Sequence, residues 1–171
     1  VERYPDVRRL SVVELALRCN YAADHAQQVA RLAREIFDET RPAHGLDDRA
    51  REWLEFAALL HDVGEHISYE RHHRHSYYLV KNGDLRGFEP DEIEVMALVT
   101  RFHRRGAPRK GHELLAALPR ADRRAVRWLS AMLRVAESLD RSRAQLVDHL
   151  NLRRRGRYWT LRVARRGDIV L

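Results

Sequence analysis

The dipeptide His61-Asp62 sets an imidazole beside a carboxylate, a pair that can chelate one divalent cation. It closes an apolar helical run, Trp53-Leu54 and Phe56 to Leu60, and Gly64 follows. Further histidines and acids stand on other expected helices: His25, His72, His75, His103, Glu137 and Asp140. Burying a carboxylate beside a histidine is costly without a cation or a basic partner. His25 shares the inward stripe of Val29 and Leu32, where a lone histidine is usually a hydrogen-bonded core residue. The His61-Asp62 pair tips that balance toward a ligand. Glu137 and Asp140, three apart beside the stripe of Leu129, Leu133 and Ala136, bring two more carboxylates to a core face. Either could close the site. Zinc, manganese and iron accept imidazole and carboxylate together, whereas magnesium prefers oxygen.

The run YERHHRHSYY is harder to place. His72 and His75 are spaced i, i+3 and share a face with Leu79, while His73 points elsewhere. The interleaved Arg71 and Arg74 equally suit a solvated basic face. His103 follows Met96 and Thr100 at helical spacing and so faces the core from its own helix.

These residues need elements to position them. Ser11-Val12-Val13-Glu14 matches a capping box and predicts a helix from Ser11. A second is expected from Ala22 to Thr40, stopped by Pro42 and Gly45, and a third from Asp47 or Asp48 to His61-Asp62, with Gly64 as its C-terminal cap. Ser68 to Lys81 gives a fourth, and Pro90 with Asp91-Glu92 starts a fifth. A short helix over His112 to Leu118 and a long one capped by Asp122 complete the set. Beyond Leu150 the pattern alternates at period two, in Leu150 to Leu152 and Trp159 to Val163 around Gly156, which reads as a β-hairpin. A further strand is expected at Asp168 to Leu171. The fold class is therefore mainly α: a helical bundle over 1–149 and a small C-terminal hairpin over 150–171.

At 171 residues the chain can bury a core, and 44% hydrophobic with 33% charged residues excludes a disordered polymer. No apolar run approaches the length of a membrane span. The single Cys19 excludes an internal disulfide and fits a cytoplasmic setting. A formal charge of +7 suggests an anionic partner.

The stretch LLHDVGEHISYERHHRHSYYLVKNGDLRGFEPDEIEVMALVTRFHRRGAP, with SVVELALRCNYAADHAQQVARLA before it and MLRVAESLDRSRAQ after it, resembles one family. That family is the exopolyphosphatase/guanosine-pentaphosphate phosphohydrolase (Ppx/GppA) family, whose C-terminal domain is of the HD type. The likeness spans nearly the whole chain, and HHRHSYYL, DLRGF and RFHRR are more specific than a generic HD pattern. It implies an isolated helical domain, cut at both ends, whose usual upstream actin-like catalytic region is absent. His25 matches the first HD histidine and His61-Asp62 the signature pair. His75 and His103 match histidines that complete a binuclear site in some HD phosphohydrolases. Glu137 stands where the superfamily's closing Asp is expected, and Asp140, one turn on, could substitute or assist.

The resemblance thus implies a metal-dependent phosphohydrolase acting on polyphosphate or a guanosine penta/tetraphosphate. Its cofactor would be one or two divalent ions (Mn, Mg, Fe or Zn). His25, His61, Asp62 and Glu137 would hold the first; His75 and His103, with Asp62 bridging, the second. Glu65, one turn after His61, would act as general base or acid. Arg71, Arg74, Arg101, Arg104 and Arg105 would grip phosphates. The alternative is a non-catalytic module that binds polyanion through the Arg-rich segment Arg153 to Arg166 and forms a homodimer in the longer protein. Nucleic-acid binding ranks third, because no reading motif accompanies the basic residues.

Overall fold

The computed structural model describes residues 6–165. Its order is α1 (Val7–Arg18), α2 (Ala23–His44), α3 (Asp48–Leu60), a 3-10 turn (Val63–His66), α4 (His72–Asn82), α5 (Pro90–Arg101), α6 (Glu113–Ala116), α7 (Arg120–Leu139), β1 (Val147–Arg155) and β2 (Tyr158–Arg165). The protein is mainly α-helical with one antiparallel hairpin. The strand expected over Asp168 to Leu171 lies outside the described residues. No helix among them is long and apolar enough to cross a membrane.

The longest helix, α2, is the spine. Its Val29, Leu32, Ile36 and Phe37 are buried at helical spacing. They meet Leu54, Ala57 and Leu60 of α3 and Leu129, Leu133 and Ala136 of α7 in one core. Helix α5 adds Met96 and Val99. Among the polar residues, Glu92 is buried because its carboxylate is fully used. It accepts from Trp53 Nε1 (3.0 Å), Arg8 Nη2 (3.0 Å) and the Glu89 amide (2.9 Å), so the α5 capping box also ties α5 to α1 and α3.

Several helix ends differ from the sequence expectation. Helix α1 starts four residues early, at Val7, because Asp6 caps it by accepting from the amides of Arg8 and Arg9. Ser11, read as the cap, is buried and instead accepts the Arg86 amide (3.0 Å). Helix α2 runs through Pro42 to His44, whose ring Nε2 donates back to the Phe37 carbonyl (2.9 Å) and holds the last turn. Helix α4 starts at His72, not Ser68, after Arg71 in the left-handed region (φ 55°). Helix α7 starts at Arg120, ahead of the Asp122 read as its cap.

The hairpin pairs Leu150 with Val163, Leu152 with Leu161 and Arg153 with Thr160. It docks on α2 through polar clamps as well as Leu150: Gln28 Nε2 donates to the Val147 carbonyl (2.6 Å), and Glu35 accepts the Leu150 amide (3.1 Å).

One close approach fixes the centre of the molecule. Gly64 is not a helix cap; it lies in the 3-10 turn, where α4 presses onto it. A Cβ there would sit 2.1 Å from the His72 carbonyl oxygen and 2.4 Å from the Ser76 nitrogen. Ser76 Oγ accepts the Gly64 amide (2.9 Å) and donates to the His61 carbonyl (2.6 Å). Those two bonds bolt the His61-Asp62 corner to α4. Gly64→Ala should therefore destabilise the fold by about 1–3 kcal/mol or more, as overpacking against backbone does. Urea unfolding measures it, and a midpoint equal to that of the parent chain would contradict the packing described.

Candidate metal centre

Four helices deliver imidazoles to one carboxylate. His25 comes from the first turn of α2, His61 from the end of α3, His72 from the start of α4 and His103 from just past α5. All four are buried. Each commits its Nδ1 to a neighbour. His61 Nδ1 donates to the Ala58 carbonyl (2.6 Å), His103 Nδ1 to the Thr100 carbonyl (2.5 Å) and His72 Nδ1 to the Tyr69 carbonyl (3.1 Å). His25 Nδ1 meets Asp140 Oδ2 at 2.8 Å.

A carbonyl only accepts, so Nδ1 carries the proton and Nε2 of the neutral ring keeps its lone pair. All four Nε2 atoms face Asp62: His72 at 3.2 Å, His61 and His103 at 3.4 Å and His25 at 3.7 Å. Nε2 of His61 is buried without a hydrogen-bond partner among the described residues. Lone pairs converging on a carboxylate repel one another unless a cation sits among them. Nδ1–H bonded to carbonyl or carboxylate, with Nε2 free, is also the arrangement that orients histidine ligands.

The donors fall into two sets that share Asp62: His25, His61 and Asp62, and Asp62, His72 and His103. Two ligands about 2.1 Å from one ion stand at most about 4.2 Å apart. The separations to Asp62, and the 3.3 Å between His72 and His103 Nε2, lie within that span. The residues therefore fit one or two divalent ions, and the nitrogen-rich set favours a transition ion over magnesium.

The charges respond to the enclosure. Burial alone would raise the Asp62 carboxyl. Where protons rather than an ion stand between the rings and Asp62, a charged His61 and hydrogen bonds from Nε2 of His103, His61 and His72 outweigh burial and hold that carboxyl well below the usual carboxylate range. Burial lowers His61 too, but the adjoining Asp62 outweighs it and the net shift is upward. At His103 burial wins and the shift is downward.

Of the residues singled out from sequence, the structure brings together His25, His61, Asp62 and His103. It places His72, not His75, in the second donor set. Because α4 begins at His72, His75 lies one turn further along, about 4.5 Å down the axis, and is only half-buried. Asp140 is buried behind His25: it accepts from His25 and from the Gln145 amide (2.8 Å), so it orients a ligand. Glu137 belongs to neither donor set and pairs loosely with Arg141 (3.9 Å). Glu65 stands at the rim, held by Arg143 Nη2 at 2.8 Å.

Arg143 was not foreseen. The same Nη2 donates to Asp62 Oδ2 at 2.9 Å, from a loop residue in the left-handed region (φ 56°). Nothing in the run DRSRAQ distinguishes it from its neighbour Arg141. Of the foreseen arginines, Arg104 lies over the Tyr69 ring (5.5 Å) and Arg101 over Tyr77 (5.6 Å), while Arg71 and Arg74 are exposed.

The family model described as Ppx/GppA phosphatase, domain III, matches residues 7–167. The chain belongs to that family.

Two measurements check the geometry. His72→Ala should reduce bound zinc or manganese by elemental analysis, and His75→Ala should leave it at the parent level; the reverse order would contradict the assignment. His73, also buried, is pushed down from 6.5 to about 4 by burial and by the charges of His103, His72 and Arg101. The unfolded chain then binds a proton on His73 that the folded chain refuses, so this residue costs stability as pH falls from 6.5 toward about 4 and nothing above that window. His73→Gln should flatten the acid side of the stability profile in urea titrations. An unchanged profile would contradict it.

Proposed function

We propose that this Ppx/GppA domain is a divalent-metal phosphohydrolase centre for phosphate-rich anions, polyphosphate or a guanosine polyphosphate. One observation carries the reading: a single carboxylate, Asp62, is ringed by four imidazole Nε2 atoms whose Nδ1 partners are already fixed. His25, His61 and Asp62 would hold one ion, and His72 and His103 with the shared Asp62 a second. Ions bound there would supply Lewis acidity toward water and toward a phosphoryl oxygen.

The chain's own groups have separate tasks. Asp140 and the Ala58, Tyr69 and Thr100 carbonyls keep each Nε2 aimed inward. Glu65 at the rim takes the proton of the attacking water. Water oxygen joins the terminal phosphorus, the bridging P–O bond breaks, and the shortened anion leaves with the electron pair of that bond. Arg143, between Asp62 and Glu65, neutralises charge that builds on the terminal phosphate.

A second reading is a non-catalytic polyanion-binding module beside an upstream domain. It is favoured by the outer face of the hairpin, where exposed Arg153, Arg155 and Arg162 have no ion-pair partner among the described residues.

Release of orthophosphate from tripolyphosphate, with manganese or zinc supplied, separates the two. On the first reading the parent chain is active and Asp62→Ala loses both metal and activity, by more than the roughly 10–100-fold that losing an outer-shell partner of a ligand costs. A metal-free parent that binds polyphosphate without hydrolysing it would favour the second.

A further inference from the structure

The two edges of the hairpin differ. On the β1 side, helix α2 closes the edge with side chains. Glu35 accepts the Leu150 amide (3.1 Å), Glu39 accepts the Leu152 amide (3.3 Å), and Arg31 and Gln28 both donate to the Val147 carbonyl (2.6 Å each). In an antiparallel ladder, opposed residues alternate between pairs that bond to each other and pairs whose backbone groups point away. Leu150 and Leu152 commit their amides to α2, so they and their partners Val163 and Leu161 are of the second kind. Trp159, opposite Arg154, continues the alternation. The N–H and C=O groups of Trp159, Leu161 and Val163 therefore point out along the far edge of β2. Among the described residues the sheet stops there: it has two strands, and all 8 residues of β2 are exposed.

The same three residues carry an apolar stripe. Side chains alternate faces along a strand, so Trp159, Leu161 and Val163 share the inner face with Leu150 and Leu152. Leu150 reaches the core, but the β2 stripe stays 39%, 37% and 42% exposed at Trp159, Leu161 and Val163. A groove of about 250 Å³ between Pro42, Ala43, Leu152 and Trp159 leaves space at its first residue. The opposite face is basic. Asn151, Arg153, Arg155, Thr160 and Arg162 line it, and from Arg153 to Arg165 the hairpin carries six arginines and no acid. An inward-pointing charge or a proline blunts many exposed edges, and β2 has neither between Tyr158 and Val163.

We propose that the free edge of β2 is a docking site for an extended segment of a partner protein in which apolar and acidic residues alternate. The segment adds a third strand. Its main chain bonds to the outward N–H and C=O groups of Trp159, Leu161 and Val163, and its apolar side chains widen their stripe. Its carboxylates then lie on the basic face, beside Arg162 and in the field of Arg153 and Arg155. A second copy of the chain fits poorly, because it would join two such arginine-rich, acid-free ribbons in one sheet. A phosphate chain could meet the arginines, but it has no main chain to match the edge and no apolar group to match the stripe. The site shares no residue with the ring around Asp62 and rests on neither reading of that centre.

The probe is a peptide as long as β2 that alternates valine with glutamate, blocked at both ends and followed by fluorescence anisotropy. It should bind the parent chain. Leu161→Pro removes one outward N–H and no bond to β1, and should weaken binding about tenfold, the scale of one main-chain hydrogen bond. Circular dichroism checks its fold. Leu161→Ser keeps that N–H, removes the apolar contact and should weaken binding about fivefold, which tests the site even if the proline disturbs the hairpin. A valine–lysine alternation should not bind, nor should the same valines and glutamates grouped in two blocks. Equal binding of either control, or parent affinity in both Leu161 variants, would overturn the docking site. Other occupants give distinct results. A doubled mass in sedimentation that Leu161→Pro abolishes would assign the edge to a second copy. Loss of peptide binding in the longer protein would assign it to a further segment of the same chain. Each of these overturns the proposal. Asp62→Ala should bind the peptide as the parent does, so failure of the metal centre and failure of the edge are read separately.

Discussion

The carboxylate of Asp62 inside a ring of imidazoles is the constraint on which the rest of the structure turns. Three of the four rings are fixed in the same way. His61, His72 and His103 each donate Nδ1–H to the carbonyl three residues earlier: Ala58, Tyr69 and Thr100. These histidines sit at helix ends or in the turn before a helix, where the regular backbone ladder stops and a carbonyl has acceptor capacity to spare; that of Tyr69 takes the His72 amide (3.3 Å) as well as the ring. A helix terminus thus supplies both an orphan acceptor and a short, stiff lever for the ring. The fourth ring, His25, emerges at a helix start and has no such carbonyl; Asp140 takes the role from α7.

That arrangement makes demands elsewhere. The α3 corner must stay within reach of α4, which explains the crushed contact at Gly64 and the two-way use of Ser76. Helix α5 must hold its own end in register, and Glu92 anchors its start to Trp53 and Arg8. The chain after α7 must turn back so that Gln145 secures Asp140 while Arg143 reaches Asp62. That turn uses two non-glycine residues in the left-handed region, Arg143 (φ 56°) and Gln145 (φ 50°). Such conformations are uncommon for these residue types and hold only where surrounding contacts fix them.

Periodicity made the bundle legible: the stripes on α2, α3, α5 and α7 appear in the sequence as they appear in the core. The alternation around Gly156 likewise marked the hairpin, which extends beyond the expected strands at both ends. The helix starts were less legible, and the error at α4 carried into the site. A start at Ser68 makes His72 and His75 equivalent members of one face. The actual start at His72 follows a left-handed Arg71, a backbone choice that an arginine does not advertise. Glu137 and Asp140 pose a similar problem. Three positions apart they share a face, but only the tertiary placement of His25 decides which of them meets it. Arg143 carried no signal, because its role comes from a turn whose geometry is set by contacts distant in sequence.

The formal charge of +7 also gains a location. In much of the molecule arginines are answered by acids: Arg8 by Glu92 and Glu52, Arg31 by Glu35, Arg51 by Asp38. Those pairs cancel, and all but the i,i+4 pair within α2 also join helices. Among the described residues, arginines without an ion pair remain around the concavity lined by Arg74, Arg101, Arg105 and Arg109, on the outer face of the hairpin and along α7. The concavity lies beside the ring around Asp62, through His73 and Phe102. An anion held at the hairpin would not meet the imidazoles, whereas one held in the concavity would lie beside His72 and His103. The same net charge therefore supports different chemistry according to where it is left unpaired.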